Sequence, residues 1–401
     1  MYTYFTENNL IQPRQSGFRS LHSSVTALLV ITNQWCLDID RGMVSGVIFL
    51  DLKKAFDTLD HAILLKKLSD YGVQGQTASW FKSYLKDRQQ FCVINGLLGL
   101  PLFLIYINDL PDCLDHSIGR SFADDTNLTF SAVDLSILQT EMSNDHRRIF
   151  NWFSSNKLTL KILKTDFMAI GSRQRIATLA GDISLSVNGL TLQQVESIKC
   201  LGLTIDQFLT WRNHLQSVRQ KVGCGIRILK RIRPFVGLEH LINVYRSIVE
   251  PYFTYCCIVW DSIGETLVDS LERLQNRAAR VITGASYSKH SADIRHELGW
   301  LSLSEMRQHH MALMMFKVNR GLCPSYLSDM FDVNISRLSY DLPSSGMNLI
   351  VSKARTNYFR NSFASAGANL WNSLRYSLKE ETSLKQFKAQ IRSYLLSTQA
   401  S

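Results

Sequence analysis

Three aspartates are the residues of this 401-residue sequence whose surroundings best suit them to chemistry. Asp51 follows the β-branched and aromatic run VSGVIFL (44–50), and Asp124-Asp125 lies inside SFADDTNLTF (121–130). Carboxylates fixed on rigid elements can be shared between two divalent cations, which then clamp the attacking and leaving oxygens of a phosphoryl transfer. A plainer reading fits each site taken alone. Asp-Asp pairs are common at solvated turns, and an Asp after an apolar strand often caps the next helix.

The elements that must position these groups follow from the hydrophobic pattern. VSGVIFLDL (44–52) reads as a short buried strand that carries Asp51 at its end. Phe122 on one side of the Asp pair, with Leu128 and Phe130 on the other, predicts a hairpin turned at Asp124-Asp125. Val25, Leu28, Leu29, Trp35 and Cys36 recur at helical spacing until Arg41-Gly42. A helix capped by Asp60 carries Ile63, Leu64 and Leu68 and stops at Gly72, and a second carries Trp80, Phe81, Tyr84 and Leu85. QQFCVI (89–94) reads as a strand, whereas PLFLIYINDL (101–110) has a length that fits either a strand or a short buried helix. A longer amphipathic helix with Leu135, Leu138, Met142, Ile149, Trp152 and Phe153 precedes strand-like pieces at 167–170 and 183–187.

Beyond Trp211 the pattern is helical, and Arg219, Lys221, Arg227, Lys230, Arg231 and Arg233 crowd into fifteen residues. A further helical block runs from about Leu241 to Asn319, and a Ser-rich, Pro-containing stretch (338–352) sets off a short helical tail. With 44 basic against 34 acidic residues, the chain carries a formal +10 charge that suits a polyanionic partner, nucleic acid first. A solvated helix face explains any one of these cations equally well. At 45% hydrophobic residues, overall disorder is excluded. The eight cysteines lack CxxC or Cys/His spacing and read as reduced core residues. His309 and His310, adjacent and so divergent on a helix, read as surface or thumb residues rather than metal ligands. No signal peptide and no bilayer-length apolar stretch is evident, so an intracellular, soluble chain is expected.

The wording around the aspartates is more specific than their spacing. FLDLKKAFD (49–57) resembles the first palm motif of reverse transcriptases, and FADD (122–125) resembles their catalytic hairpin in the non-LTR, jockey-like retrotransposon branch. QSGFR (15–19) is similar to the fingers motif of that branch, NKLTLKILKTDF (156–167) to a later palm motif, and CLGLTID (200–206) to the primer-grip hairpin. The resemblance continues through the basic helices to WNSL near Trp371. It implies an α+β right-hand polymerase fold of fingers, palm and helical thumb. The expected limits are fingers and palm at 1–210, a basic thumb at 211–335 and a tail at 336–401.

Carried over by position, Asp51, Asp124 and Asp125 would bind two Mg²⁺ ions, or Mn²⁺ in their place, with the Leu52 carbonyl assisting. Phe56 would stand beneath the incoming sugar and favour deoxynucleotides, although an ordinary core aromatic is its plainer role. Arg19 would pair with the triphosphate, and Lys164 would protonate the leaving pyrophosphate. Surface charge is the rival for both. Asp57 and His61 belong to the motif wording, yet helix capping explains them better. Arg219, Arg227, Lys230 and Arg231 would track nucleic-acid backbone. The implied partners are an RNA template, a DNA primer and deoxynucleoside triphosphates, and a nuclear site follows from the need for genomic DNA.

The sequence departs from the family between QQFCVI and PLFLIYINDLP. A segment with Gln-Gly-Ser that contacts the template is missing there, and NGLLGLPLF (95–103) looks like its stump. Lys161 stands where the family usually carries Asn. No nuclease domain precedes the fingers motif and no RNase H constellation follows the thumb, so the chain reads as an incomplete copy. Two functions remain open at this point: template-directed polymerisation, and a catalytically silent remnant that at most binds nucleic acid.

Overall fold

The computed structural model describes residues 2–50, 52, 58–86, 99–159, 161, 165–178, 185–187, 190–332 and 347–398. The predicted strand 89–94, part of the one at 183–187, and most of the Ser-rich stretch lie outside them. The chain divides into two compact units, one formed by Met1–Ala27 and Gly42–Ile198, the other by Leu28–Arg41 and Lys199–Ser401.

The first unit contains α1 (Tyr2–Glu7), the first turn of α2 (Ser24–Asp40), β1 (Val44–Leu50), α3 (His61–Asp70), α4 (Gly75–Leu85), α5 (Gly99–Tyr106), β2 (Ile118–Phe122), β3 (Asp125–Ala132), α6 (Leu135–Ser155), β4 (Asp166–Ile170), α7 (Arg173–Ala177) and the short strands β5 (Ser186–Val187), β6 (Leu190–Thr191) and β7 (Gln193–Gln194). Its sheet runs β2-β3-β1-β4-β7. Strand β1 pairs antiparallel with β3 on one side and β4 on the other, and all seven of its residues are buried. That is why VSGVIFL reads as an unbroken apolar run rather than an alternating one.

One face of the sheet joins the core. Val44, Ile48, Leu50, Leu128, Phe167 and Ala169 pack with Leu138, Met142, Ile149 and Phe153 of α6 and with residues of α3 and α5. Each of these side chains larger than alanine contributes about 2 kcal/mol through burial. Gly46 permits the close approach of α6, since a Cβ there would stand 2.2 Å from the Met142 sulfur. The opposite face is mixed, with buried Val47, Phe49, Met168 and Ile170 on β1 and β4 and a polar strip along β3. The Ser131 hydroxyl donates to the Ser45 hydroxyl across β3 and β1 at 2.9 Å, and by strand alternation Thr129, Asn127 and Asp125 share that face.

The helices follow their caps. The Asp60 carboxylate accepts the N–H groups of Ala62 and Ile63 at 3.0 Å and starts α3 as predicted. PLFLIYINDL, open between strand and helix, begins within helix α5. Leu102 through Tyr106 are all buried, so no face alternates and periodicity carries no information. Fully buried Asp145, on the apolar side of α6, holds the entry to β2: its carboxylate accepts the backbone N–H groups of Asp115 (3.0 Å), His116 (3.1 Å) and Ser117 (2.5 Å).

The second unit contains the rest of α2, then β8 (Ser197–Cys200, entering from the first unit), β9 (Leu203–Asp206), α8 (Arg212–Ile232), α9 (Leu238–Ile248), α10 (Glu250–Thr254), α11 (Glu265–Thr283), α12 (Ser291–Glu297), α13 (Leu303–Asn319), α14 (Ser325–Ser328), α15 (Asn357–Arg360), α16 (Phe363–Ser373), α17 (Tyr376–Glu380) and α18 (Leu384–Thr398). Tyr245 stacks on Trp300 at 4.1 Å and Phe316 on Phe387 at 4.5 Å. The α2 segment is tied in by Asp40, which accepts from Arg355 N, Thr356 N and the Thr356 hydroxyl, and by Asn33, which accepts from Ala364 N. Among the described residues, no helix is long and apolar enough to cross a membrane.

Two expectations are corrected here. His309, expected at the surface or in the thumb, is buried at 6% exposure, which overturns the first of these, and burial pushes its imidazole down to about 4. None of the described cysteines is in a disulfide, but Cys224 is exposed on α8 and not a core residue.

Asp145 generates a stability prediction. Burial pushes its carboxyl up, but the three backbone amides outweigh this and hold it below its ordinary value of 3.8. A carboxyl depressed in the folded state stabilises above its unfolded pKa and loses that contribution as pH falls through the folded value. Asp145→Ala is expected to cost about 2–4 kcal/mol at pH 7. The deficit relative to the parent should shrink below about pH 4, as followed by urea unfolding across the acid range.

Candidate active site

Strands β2 and β3 form a tight hairpin in which Phe122 pairs with Asp125, so the two turn residues are Ala123 and Asp124. The tip is therefore one residue earlier than the sequence predicts, and Asp125 opens β3. Ala123 has φ +57° while Asp124 does not enter the left-handed region. A positive φ at the first central residue alone is the signature of the mirror-image hairpin turn usually opened by glycine. An alanine held there costs about 1 kcal/mol unless its surroundings enforce it.

The turn lies against the segment 14–17. Ser16 N donates to Ser121 O at 2.8 Å and Ser121 N to Arg14 O at 3.1 Å, so the segment pairs along the outer edge of β2. Buried Gln15 accepts the Ala123 N–H at 3.0 Å and the Gly17 N–H at 2.8 Å through Oε1, and its Nε2 donates to the Ala123 carbonyl at 3.3 Å. The Ser121 and Thr126 hydroxyls bond each other at 2.9 Å across the hairpin.

Asp124 is half-buried and Asp125 exposed. Among the described residues, the Asp124 carboxylate has no hydrogen-bond or ion-pair partner. The strand that leads to Asp51 ends beside this hairpin: Leu50 is paired with Thr126, the residue after Asp125. Leu52 is buried. Asp51, Phe56 and Lys164 lie outside the described residues. Across β1 from the hairpin, Asp166 pairs with Phe49, and burial pushes its carboxyl up.

Arg19 is half-buried on the same loop as Gln15, and its Nη1 donates to the carbonyls of Gln12 (3.0 Å) and Gln15 (2.9 Å). Reading QSGFR for its cation thus overlooked the residue that touches the hairpin. The signal available was the glycine after Gln-Ser, which marks a close backbone approach.

In the second unit the segment read as a primer-grip hairpin is β8–β9, turned at Leu201 (φ 43°) and Gly202 (φ 83°). The Tyr255 hydroxyl donates to Leu201 O at 2.8 Å. Asp206 accepts from Phe208 N, Thr210 N, the Thr210 hydroxyl and Trp211 N, which fixes the entry to α8. Along α8, Leu215, Val218, Val222, Ile226 and Leu229 are buried, while Arg219, Arg227, Lys230 and Arg231 are exposed. At 100° per residue these four cations fall within an arc of about 120° along one side of the apolar stripe. Arg227 donates to the Cys224 sulfur at 2.8 Å. The other three have no hydrogen-bond or ion-pair partner among the described residues.

A probable RNA-directed DNA polymerase from transposon X-element of Drosophila melanogaster is 23% identical over 310 residues, 71% of this chain and 33% of that protein. That from transposon BS of the same organism is 23% identical over 349 residues, 79% of this chain and 37% of that one. The RNA-directed DNA polymerase from mobile element jockey is 23% identical over 76% of this chain and 36% of its own length. The chain thus spans about a third of the length of these relatives. Among solved structures, telomerase from Candida albicans in complex with a telomeric RNA fragment matches at 11% identity and a TM-score of 0.33, over 73% of this chain and 54% of that one. The family described as reverse transcriptase (RNA-dependent DNA polymerase) matches residues 2–205, which include both the hairpin and the strand that leads to Asp51, and the chain belongs to that family.

Proposed function

We propose that this chain is the polymerising core of a retrotransposon RNA-directed DNA polymerase, in which the first unit serves as fingers and palm and the second supplies the thumb. The observation that carries the reading is the β2–β3 hairpin, which holds Asp124 and Asp125 beside the end of the strand that leads to Asp51. The Asp124 carboxylate is a hard oxygen donor without another partner among the described residues, which is what a divalent cation requires.

Asp51, Asp124 and Asp125 would hold two Mg²⁺ ions, with the Leu52 carbonyl assisting, and the ions would supply charge stabilisation to the attacking and leaving oxygens. The protein's own groups orient the reactants. Arg19 meets triphosphate oxygens through its guanidinium, whose planar fork suits phosphate. Lys164 donates the proton to pyrophosphate, and Phe56 excludes a 2′-hydroxyl. On α8, Arg219, Arg227, Lys230 and Arg231 meet the phosphates of template and primer. A nuclear location follows from this role.

Primer extension tests the chemistry. On a poly(rA) template with an oligo(dT) primer and Mg²⁺, the chain should incorporate deoxythymidylate. Asp124→Ala with Asp125→Ala should lower the rate by about a thousandfold or more. No incorporation by demonstrably folded protein contradicts the polymerase reading and favours a silent remnant.

The basic face gives a second, independent prediction. Binding to an RNA–DNA hybrid should weaken linearly in log–log form as salt rises. Replacement of Arg219, Arg227, Lys230 and Arg231 by Gln should reduce that slope by roughly three. An unchanged slope removes α8 from the nucleic-acid contact.

A further inference from the structure

The segment QSGFR does more than present a cation. Its first residue reaches the hairpin that carries two of the three proposed metal-binding carboxylates. The Gln15 amide meets both polar groups of one residue, accepting the N–H of Ala123 and donating to its carbonyl. The same Oε1 also accepts Gly17 N–H, so the oxygen faces two donors and the nitrogen an acceptor, which fixes the orientation of the amide.

Three further observations show that this contact is built in. Gly17 lies against the turn so tightly that a Cβ would stand 2.2 Å from Ala123 N, a backbone atom that cannot swing aside. The flanking backbone is paired to Ser121 on both sides of Gln15. The loop is also held from behind: Arg19 donates to the carbonyls of Gln12 and Gln15, and Asn108 accepts Gln12 N–H at 2.7 Å while donating to Leu10 O at 2.7 Å. What this arrangement encloses is Ala123 at φ +57°, a conformation an alanine keeps only when its surroundings over-determine it. The next residue is Asp124.

We propose that Gln15 is a positioning residue: its amide brackets the backbone of Ala123 and so sets where Asp124 and Asp125 stand. Gly17 makes the bracket possible by leaving room for the approach. The role of the two carboxylates as metal ligands rests on the polymerase reading above, whereas the bracket itself does not.

The test uses the full chain and compares the parent with Gln15→Ala, the double variant Gln15→Ala with Ala123→Gly, and Asp124→Ala with Asp125→Ala. Backbone hydrogen exchange should rise about tenfold in the peptide covering 118–126 in Gln15→Ala, while β1 and β4 keep their protection. Mn²⁺ affinity, read by electron paramagnetic resonance, should fall about tenfold in the same variant, as for other residues that orient metal ligands. Ala123→Gly should restore much of that affinity in the Gln15→Ala background, because glycine adopts the turn without enforcement. A loss of packing elsewhere would show no such rescue. Folded Gln15→Ala with parental exchange in the hairpin overturns the inference, as does a fall in affinity that Ala123→Gly leaves untouched. If removal of both aspartates leaves Mn²⁺ binding unaltered, the metal reading fails instead, and the exchange comparison still decides the bracket.

Discussion

The pairing of β1 with β3 is the constraint on which the proposed chemistry depends. Leu50 stands opposite Thr126, so the strand leading to Asp51 and the hairpin carrying Asp124 and Asp125 end side by side. Side chains alternate along a strand, and a slip of one residue would send Asp125 and Asn127 to the face covered by α6 and Leu128 to the opposite one. Burial of Val44, Ile48 and Leu50 with the α6 side chains opposes that slip by several kcal/mol. The core thus fixes the register, and the register places the carboxylates. Gly46 belongs to the same device, because it lets α6 come down onto the sheet.

Polar side chains then lock the connections that the core leaves open. Asp145 holds the loop entering β2, Asp206 the loop entering α8, and Asp60 the start of α3. Each satisfies backbone N–H groups with a carboxylate, a stronger bond than a neutral pair provides. Gln15 performs the same task for the turn between β2 and β3, with a neutral amide that both accepts and donates. A carboxylate there would lack the donor and would set a further negative charge beside Asp124 and Asp125.

The periodic elements are legible in the sequence. β1, α3 with its Asp60 cap, and α6 all appear where the apolar spacing puts them. The resemblance to reverse transcriptases likewise reaches the family, since its motifs are short strings in order. What escapes is of three kinds. The all-round burial of α5 erases the periodicity that separates helix from strand. The face that a residue presents is set by distant packing, so His309 is inside α13's contacts and Cys224 outside α8's. Contacts such as Gln15 with Ala123 bridge more than a hundred positions and leave no local pattern. Asp145 could have been found: it falls three residues after Met142 and four before Ile149, on the apolar face of α6, where an unpaired carboxylate would be costly.

In the proposed polymerase the end of β1 and the β2–β3 hairpin serve one metal site. Hydroxyl-radical cleavage directed by Fe²⁺ with ascorbate and peroxide tests it without requiring turnover, because the radicals cut the backbone only close to the bound ion. Two cuts are expected, one within a few residues of Asp51 and one within a few residues of Asp124. Both should be competed by Mg²⁺ and lost together in Asp51→Ala. Cuts confined to one of the two segments, or cleavage unchanged in that variant, would contradict it.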